Sequence, residues 1–207
     1  MENGCPFMMS WNTRDDVGYL TARDSDVIGH ERTGNWNGPD GIFCSVHGGV
    51  GNLNNYLFDD IRIEHAQWAV VSVQIKSNNW SPPSPLLGNI STVILRNVSI
   101  TSAMKSPTPF RIIGNSTKNA RVDTFVFDGV TMVGGKPLAK SAVDAGGVGV
   151  YATNITVCEE GVGCADRFLP RAADEWTKDE ICGRKPQPFV DGEELPPIQP
   201  HDEKPYC

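Results

Sequence analysis

The sequence predicts an all-β protein built of stacked short strands, a parallel β-helix of about five coils, and three observations carry that prediction. The first is a six-residue pattern, apolar, any, small polar or Gly, apolar, any, apolar, recurring at 22–27, 58–63, 95–100, 127–132 and 152–157. Its third positions are Asp24, Asp60, Asn97, Gly129 and Asn154, spaced 36, 37, 32 and 25 residues apart, within the range of about 20–50 that marks stacked supersecondary units. The second is the period-two alternation inside each copy, which sends Leu95, Val98 and Ile100, or Phe127, Val130 and Met132, to one side of a bent strand. Asp, Asn and Gly tolerate a left-handed backbone, so a corner between two short strands suits them, and their side chains could bond from coil to coil. The third is the length of the intervals, too long for the tight hairpins of an antiparallel β-sandwich, which is the alternative.

In chain order, residues 5–16 (CPFMMSWNTRDD) begin with an apolar run that reads as a strand already inside a coil. The first repeat occupies 17–30, and a polar, Gly-rich loop over 31–40 carries Trp36. A short strand at 41–47 leads into a glycine-rich turn through Gly51. After the second repeat, Trp68 to Ile75 (WAVVSVQI) forms the next face of the same coil, and 77–87, with three prolines, is a protruding loop. Phe110 to Ile113 follows the third repeat in the same way, and turns at 114–119 and Gly134-Gly135 bracket the fourth. The coils are assigned to 1–157. Residues 158–207 form a Cys- and Pro-rich tail, with a short helix over 172–182 ended by Gly183.

A net charge of −7 over 207 residues argues against a nucleic-acid backbone or an anionic membrane as partner. No run approaches the roughly 18 apolar residues of a membrane span. Six Cys, four of them in the last fifty residues, suggest a disulfide-stapled tail made in an oxidising compartment. Acceptor sequons stand at Asn89, Asn97, Asn115 and Asn154, with a fifth at Asn79 weakened by the following Pro. Asn97 and Asn154 are corner residues of the repeat, so those two are read as serving the fold. An extracellular location is expected, and because the N-terminus lacks a signal peptide the chain is read as the C-terminal part of a longer protein.

Among the acidic residues, Asp15-Asp16 is an adjacent pair, and adjacent carboxylates on a strand point to opposite faces. The pair is therefore considered for catalysis and disfavoured, as are Asp24, Asp59, Asp60 and Asp128, which hold repeat positions. His30 and His47 close comparable short strands, where side chains can leave the core and hydrogen-bond a substrate. Trp11, Arg14, Arg32 and Trp36 join them as substrate-binding candidates, since exposed indoles stack on the apolar faces of sugar rings. The four His have no short metal spacing, no Cys pair has CxxC spacing, and Asp24-x-Asp26-x-x-Gly29 lacks the later oxygen ligands of a calcium loop. Neither metal nor cofactor is expected.

The opening block CPFMMSWNTRDDVGYLTARDSDVIGHER resembles a segment of glycoside hydrolase family 49, the dextranase and isopullulanase group. The resemblance rests on an apolar strand ending in Trp11, then Thr13, Arg14 and Asp15, then a coil ending Val27-Ile28, with Gly29 before His30 where the family has His directly. It covers residues 3–75 in detail and extends as a pattern to about 157. It implies a right-handed parallel β-helix and an inverting hydrolase of α-glucans such as dextran or pullulan, with two carboxyls about 6.5–9.5 Å apart. The family's catalytic aspartates lie in an Asn-Asp-Asp-Ala-like motif that this chain lacks, so the resemblance implies retained groove residues without the acid pair. Pectin hydrolases of family 28 are a more distant likeness, and their Asn-x-Asp, Gly-His and Arg-x-Lys signatures are missing too. A polysaccharide or oligosaccharide is the expected partner, and the alternative is a non-catalytic carbohydrate-binding or surface protein of the same fold.

Overall fold

The computed structural model describes residues 5–10, 13–28, 41–64, 69–77, 81, 86–101, 109–158 and 163–168. The chain divides into two units, 1–169 and 170–207, and every described residue belongs to the first. The protein is all-β, with one short helix among the described residues.

Long and short strands alternate along the chain. The short ones are β1 (Phe7–Ser10), β3 (Phe43–His47), β5 (Val71–Ile75) and β7 (Phe110–Ile113), and they form one sheet in the order β1-β3-β5-β7. The long ones, β2 (Val17–Val27), β4 (Leu53–Ile63) and β6 (Ile90–Ile100), are 11 residues each and form the second sheet. That sheet continues through β8 (Val122–Asp128), β9 (Thr131–Met132) and β11 (Ala152–Cys158). Every pairing between successive repeats is parallel. The exception within a repeat is β10 (Lys136–Pro137), antiparallel to β9.

Register agrees with the sequence pattern for four copies, since Ala22, Phe58, Leu95 and Phe127 stack in one column. Their third residues Asp24, Asp60, Asn97 and Gly129 all have left-handed φ, between 51° and 64°. The fifth copy requires a correction. Ala152, Ile155 and Val157 stack on Val122, Phe125 and Phe127, so Asn154 lies over Thr124 and not over Gly129. It belongs to a second left-handed ladder five residues upstream, made of Tyr19, Asn55, Thr92, Thr124 and Asn154, with φ of 62°, 60°, 55°, 59° and 53°.

Each long strand therefore bends twice. A left-handed residue resets the alternation, so inward positions on β4 are Leu53, Tyr56, Phe58, Ile61 and Ile63, in steps of three, two, three and two. On β6 they are Ile90, Val93, Leu95, Val98 and Ile100, every one at most 1% exposed. Burying each such side chain contributes about 1.5–3 kcal/mol. Val130 continues the column at 4%, whereas Met132, expected alongside it, is only half-buried. Aromatic rings fill the interior where the sheets face each other: Phe7 stacks on Phe43 at 5.3 Å, and Phe110 meets Phe127 edge-on at 5.5 Å. On β1, Met9 is buried and Met8 is 44% exposed.

Between the fourth and fifth copies the sequence suggests only turns, but α1 (Lys140–Ala145) lies there. Val143 anchors it in the core at 0% exposure, and Lys140 pairs with Asp144 one turn on, at 2.7 Å.

The outer side of the long-strand sheet carries a second apolar cluster, Leu57, Ile94 and Val126, in register with one another. Ala165 completes it, with Phe168 and the Cys158–Cys164 disulfide packed against it. The second disulfide, Cys5–Cys44, joins the entry of β1 to β3, so one staple lies far from the C-terminal segment in which the sequence concentrates its cysteines. Cys182 and Cys207, and the helix expected at 172–182, lie outside the described residues.

Candidate functional site

The turn from β1 to β2, residues Thr13–Asp16, stacks directly on the Gly-rich turn after β3. A Cβ on Gly49 would fall on the Thr13 backbone, one on Gly51 on the Asp15 carbonyl, and one on Gly88 on the Gly51 carbonyl. Glycine is required there because successive backbones pass too close for any side chain. The result is a tightly stacked seam in which Gly49, Gly51 and Gly88 are themselves buried, and at its edge Arg14, Asp15, Val50 and Leu86 are exposed. Arg14 and Asp15 form no ion pair with the other described residues.

Asp16 beside them is tied into the fold. Its Oδ1 accepts the Asn52 backbone N–H at 2.7 Å and the Asn52 Nδ2–H at 3.1 Å. Asn52 Oδ1 accepts the Asn89 N–H at 3.0 Å, and Asn89 Oδ1 accepts that of Arg121 at 2.8 Å. This side-chain ladder, one rung per repeat, is the coil-to-coil bonding expected of the Asn and Asp corners, displaced to residues beside the glycine turns. It holds Asp16 in the ladder and leaves Asp15 as the carboxylate of the pair with no hydrogen bond or ion pair to other described residues.

His47 departs from its reading as a groove residue. All five residues of β3 are buried, and His47 is 0% exposed because both faces of that strand are covered. Its Nε2–H donates to the Gly51 carbonyl at 2.8 Å, which leaves Nδ1 to accept the Ser10 hydroxyl at 3.2 Å. Ser10 Oγ in turn contacts Thr13 Oγ1. Burial pushes the His47 pKa below its ordinary value, against a smaller upward effect of the Gly51 hydrogen bond. A serine and a neutral imidazole so arranged could pass a proton, but Ser10 is 7% exposed and His47 not at all, so no substrate reaches them. The network pins the end of β1, and through Thr13 the turn that carries Arg14, to the glycine turn after β3. The sequence signal for it is Gly48-Gly49-Val50-Gly51 directly after His47, which brings backbone instead of side chains against the ring.

Trp11, His30, Arg32 and Trp36 lie outside the described residues. Of the substrate-binding candidates, Arg14 is on the surface and His47 is inside.

Asp128, Cys158 and Cys164 bring a carboxylate and two sulfurs within 4.8 Å of one another. Both sulfurs are used in the disulfide. The Asp128 carboxylate accepts N–H groups from Gly163, at 2.8 Å and 3.1 Å to its two oxygens, and from Ala165 at 2.9 Å. The cluster closes the disulfide loop over the outer apolar ladder, and its donors are already engaged.

The disulfides fit an oxidising, extracellular-type compartment. No helix among the described residues is long and apolar enough to cross a membrane. No protein-family model matches the chain, and neither does any curated protein or solved structure.

Proposed function

We propose that the stacked repeats form a right-handed parallel β-helix, and that the chain is a secreted protein of the family-49 glycoside hydrolase type. In this reading it holds a neutral α-glucan such as dextran or pullulan on the surface around Arg14 without cleaving it. The observation that carries the reading is the pair Arg14 and Asp15, exposed together on the turn that stacks on the buried glycine seam, while Asp16 is bound into the Asn52 ladder. Arg14 offers hydrogen-bond donors to sugar hydroxyls, and the exposed Val50 and Leu86 beside it give apolar surface for the faces of sugar rings. Inverting hydrolysis needs two free carboxyls facing each other across the scissile bond. Asp15 alone cannot provide them. That favours the binding reading over turnover by this chain.

The test is electrophoresis through gels containing dextran or pullulan, with polygalacturonate as the anionic control, beside a reducing-sugar assay. Neutral glucans are expected to retard the protein, Arg14→Ala to weaken that by roughly tenfold, and sugar release to stay at background. Turnover abolished by Asp15→Asn would make the chain a catalyst, and equal mobility in every gel would remove the sugar-binding reading.

A further inference from the structure

We infer that Asn97 is the glycan acceptor of this protein, in the sequon Asn97-Val98-Ser99. The inference is independent of the glucan reading and rests on the oxidising compartment that the disulfides fit. Four sequons fall on described residues, and the fold treats their amides differently. Asn115 donates its Nδ2–H to the Ile75 carbonyl at 3.2 Å and accepts the Lys118 N–H at 2.9 Å. Asn154 donates its Nδ2–H to Asp123 at 2.6 Å. Asn89 Oδ1 accepts the Arg121 N–H at 2.8 Å, which turns its amide against the next coil, although its Nδ2 has no partner among the described residues. Asn97 is exposed, and neither atom of its amide is hydrogen-bonded among the described residues.

The place of Asn97 in the stack also leaves room for a sugar. It sits at a left-handed corner, φ 53°, with its side chain exposed. Its neighbours along the ladder are Asp60, which is exposed, and Gly129, which has no side chain. The core is untouched, because Val98 and Leu95 flank the corner at 0% exposure and point inward.

In the transfer itself, Asn97 Nδ2 forms a bond to the anomeric carbon of an oligosaccharide carried on a polyprenyl diphosphate. The bond from that carbon to the diphosphate oxygen breaks, polyprenyl diphosphate departs with the electron pair, and one amide proton is released. At Asn115 and Asn154 the sugar would replace one of the two hydrogens on a nitrogen that the folded protein already uses as donor, so a glycan there has to share that nitrogen with the Ile75 carbonyl or Asp123. At Asn97 nothing is displaced.

The experiment is to secrete the full chain from a eukaryotic host and digest the disulfide-intact protein with peptide N-glycosidase in heavy-oxygen water. Glycan-bearing Asn is thereby converted to labelled Asp and is read by peptide mass. Label at Asn97 is expected, lost in both Asn97→Gln and Ser99→Ala and unchanged in Asn115→Gln and Asn154→Gln. Ser99→Ala keeps Asn at the left-handed corner, so it reports on the sequon even where Asn97→Gln fails to fold. Disulfide-intact protein with no label at Asn97, whether unlabelled throughout or labelled at Asn115 or Asn154, overturns the inference.

Discussion

Asp59 and Arg96, 37 residues apart in sequence, lie side by side on adjacent strands and share two hydrogen bonds, Nε to Oδ1 at 2.9 Å and Nη2 to Oδ2 at 2.6 Å. Register places them in a column of alternating charge, Arg23, Asp59, Arg96, Asp128, running across four repeats. Each charge is compensated by the repeat next to it, so the column favours in-register parallel stacking over a slip of one residue.

The hydrogen bond from Arg96 holds the Asp59 carboxyl below its usual range; burial opposes this, and the Arg96 and Arg23 charges assist. As pH falls below about 4, the unfolded chain takes up this proton before the folded one does. Stability from the pair is therefore complete above that pH and is lost as pH falls through the folded value. Arg96→Met should cost about 1–3 kcal/mol near neutrality, measured by urea midpoints, and the gap to wild type should close in acid. A gap that stays constant well below pH 4 would rule the pair out as its source.

His47 gives the opposite end of the pH profile. Its folded pKa is lowered by burial, so below about 6.5 the unfolded chain binds a proton that the folded one refuses. Stability from this residue is present above that value and declines as pH falls from there toward the folded pKa. His47→Gln should flatten the slope of unfolding free energy against pH in that window, whatever it costs in absolute stability. An unchanged slope would mean that the ring titrates freely.

Two substitutions on one outward ladder should behave unequally. Thr21, Leu57, Ile94 and Val126 share a register position, but Ile94 is 1% exposed beneath the Cys158–Cys164 segment and Thr21 is open to solvent. Ile94→Ala should cost about 2–5 kcal/mol, and Thr21→Ala should stay within about 0.5 kcal/mol. Equal small losses by chemical denaturation would show that the outer cluster contributes nothing to stability.

Gly51→Ala should destabilise by about 1–3 kcal/mol, because its methyl group meets the Asp15 carbonyl and successive turns must separate. Gly134→Ala meets nothing within 4 Å, although its φ of 77° is strained for Ala, so its cost should be nearer 1 kcal/mol. Thermal unfolding of the two variants distinguishes close backbone approach from backbone conformation alone, and a ranking with Gly134→Ala the worse would contradict the stacking.

The sequence by itself determined the repeats, the left-handed corners at Asp24, Asp60, Asn97 and Gly129, and the inward residues of the second halves of β4 and β6, because those depend on local backbone tolerance and on the spacing of apolar residues. Only the tertiary structure decided the placement of the fifth copy. Both halves of a long strand carry the same step of three and then two around a left-handed residue, so Ala152, Ile155 and Val157 fit the Val122, Phe125, Phe127 half as well as the Phe127, Val130, Met132 half until parallel pairing fixes the register. The same holds for the chemistry. That Asp16 is bonded to Asn52, 36 residues on, and that Ile94 is covered from outside by Ala165 and Phe168, still further along the chain, are set by distant segments, and no local pattern carries that information. The carbonyl that His47 meets belongs to Gly51, four residues on, but the burial of the ring depends on the strands paired on both sides of β3.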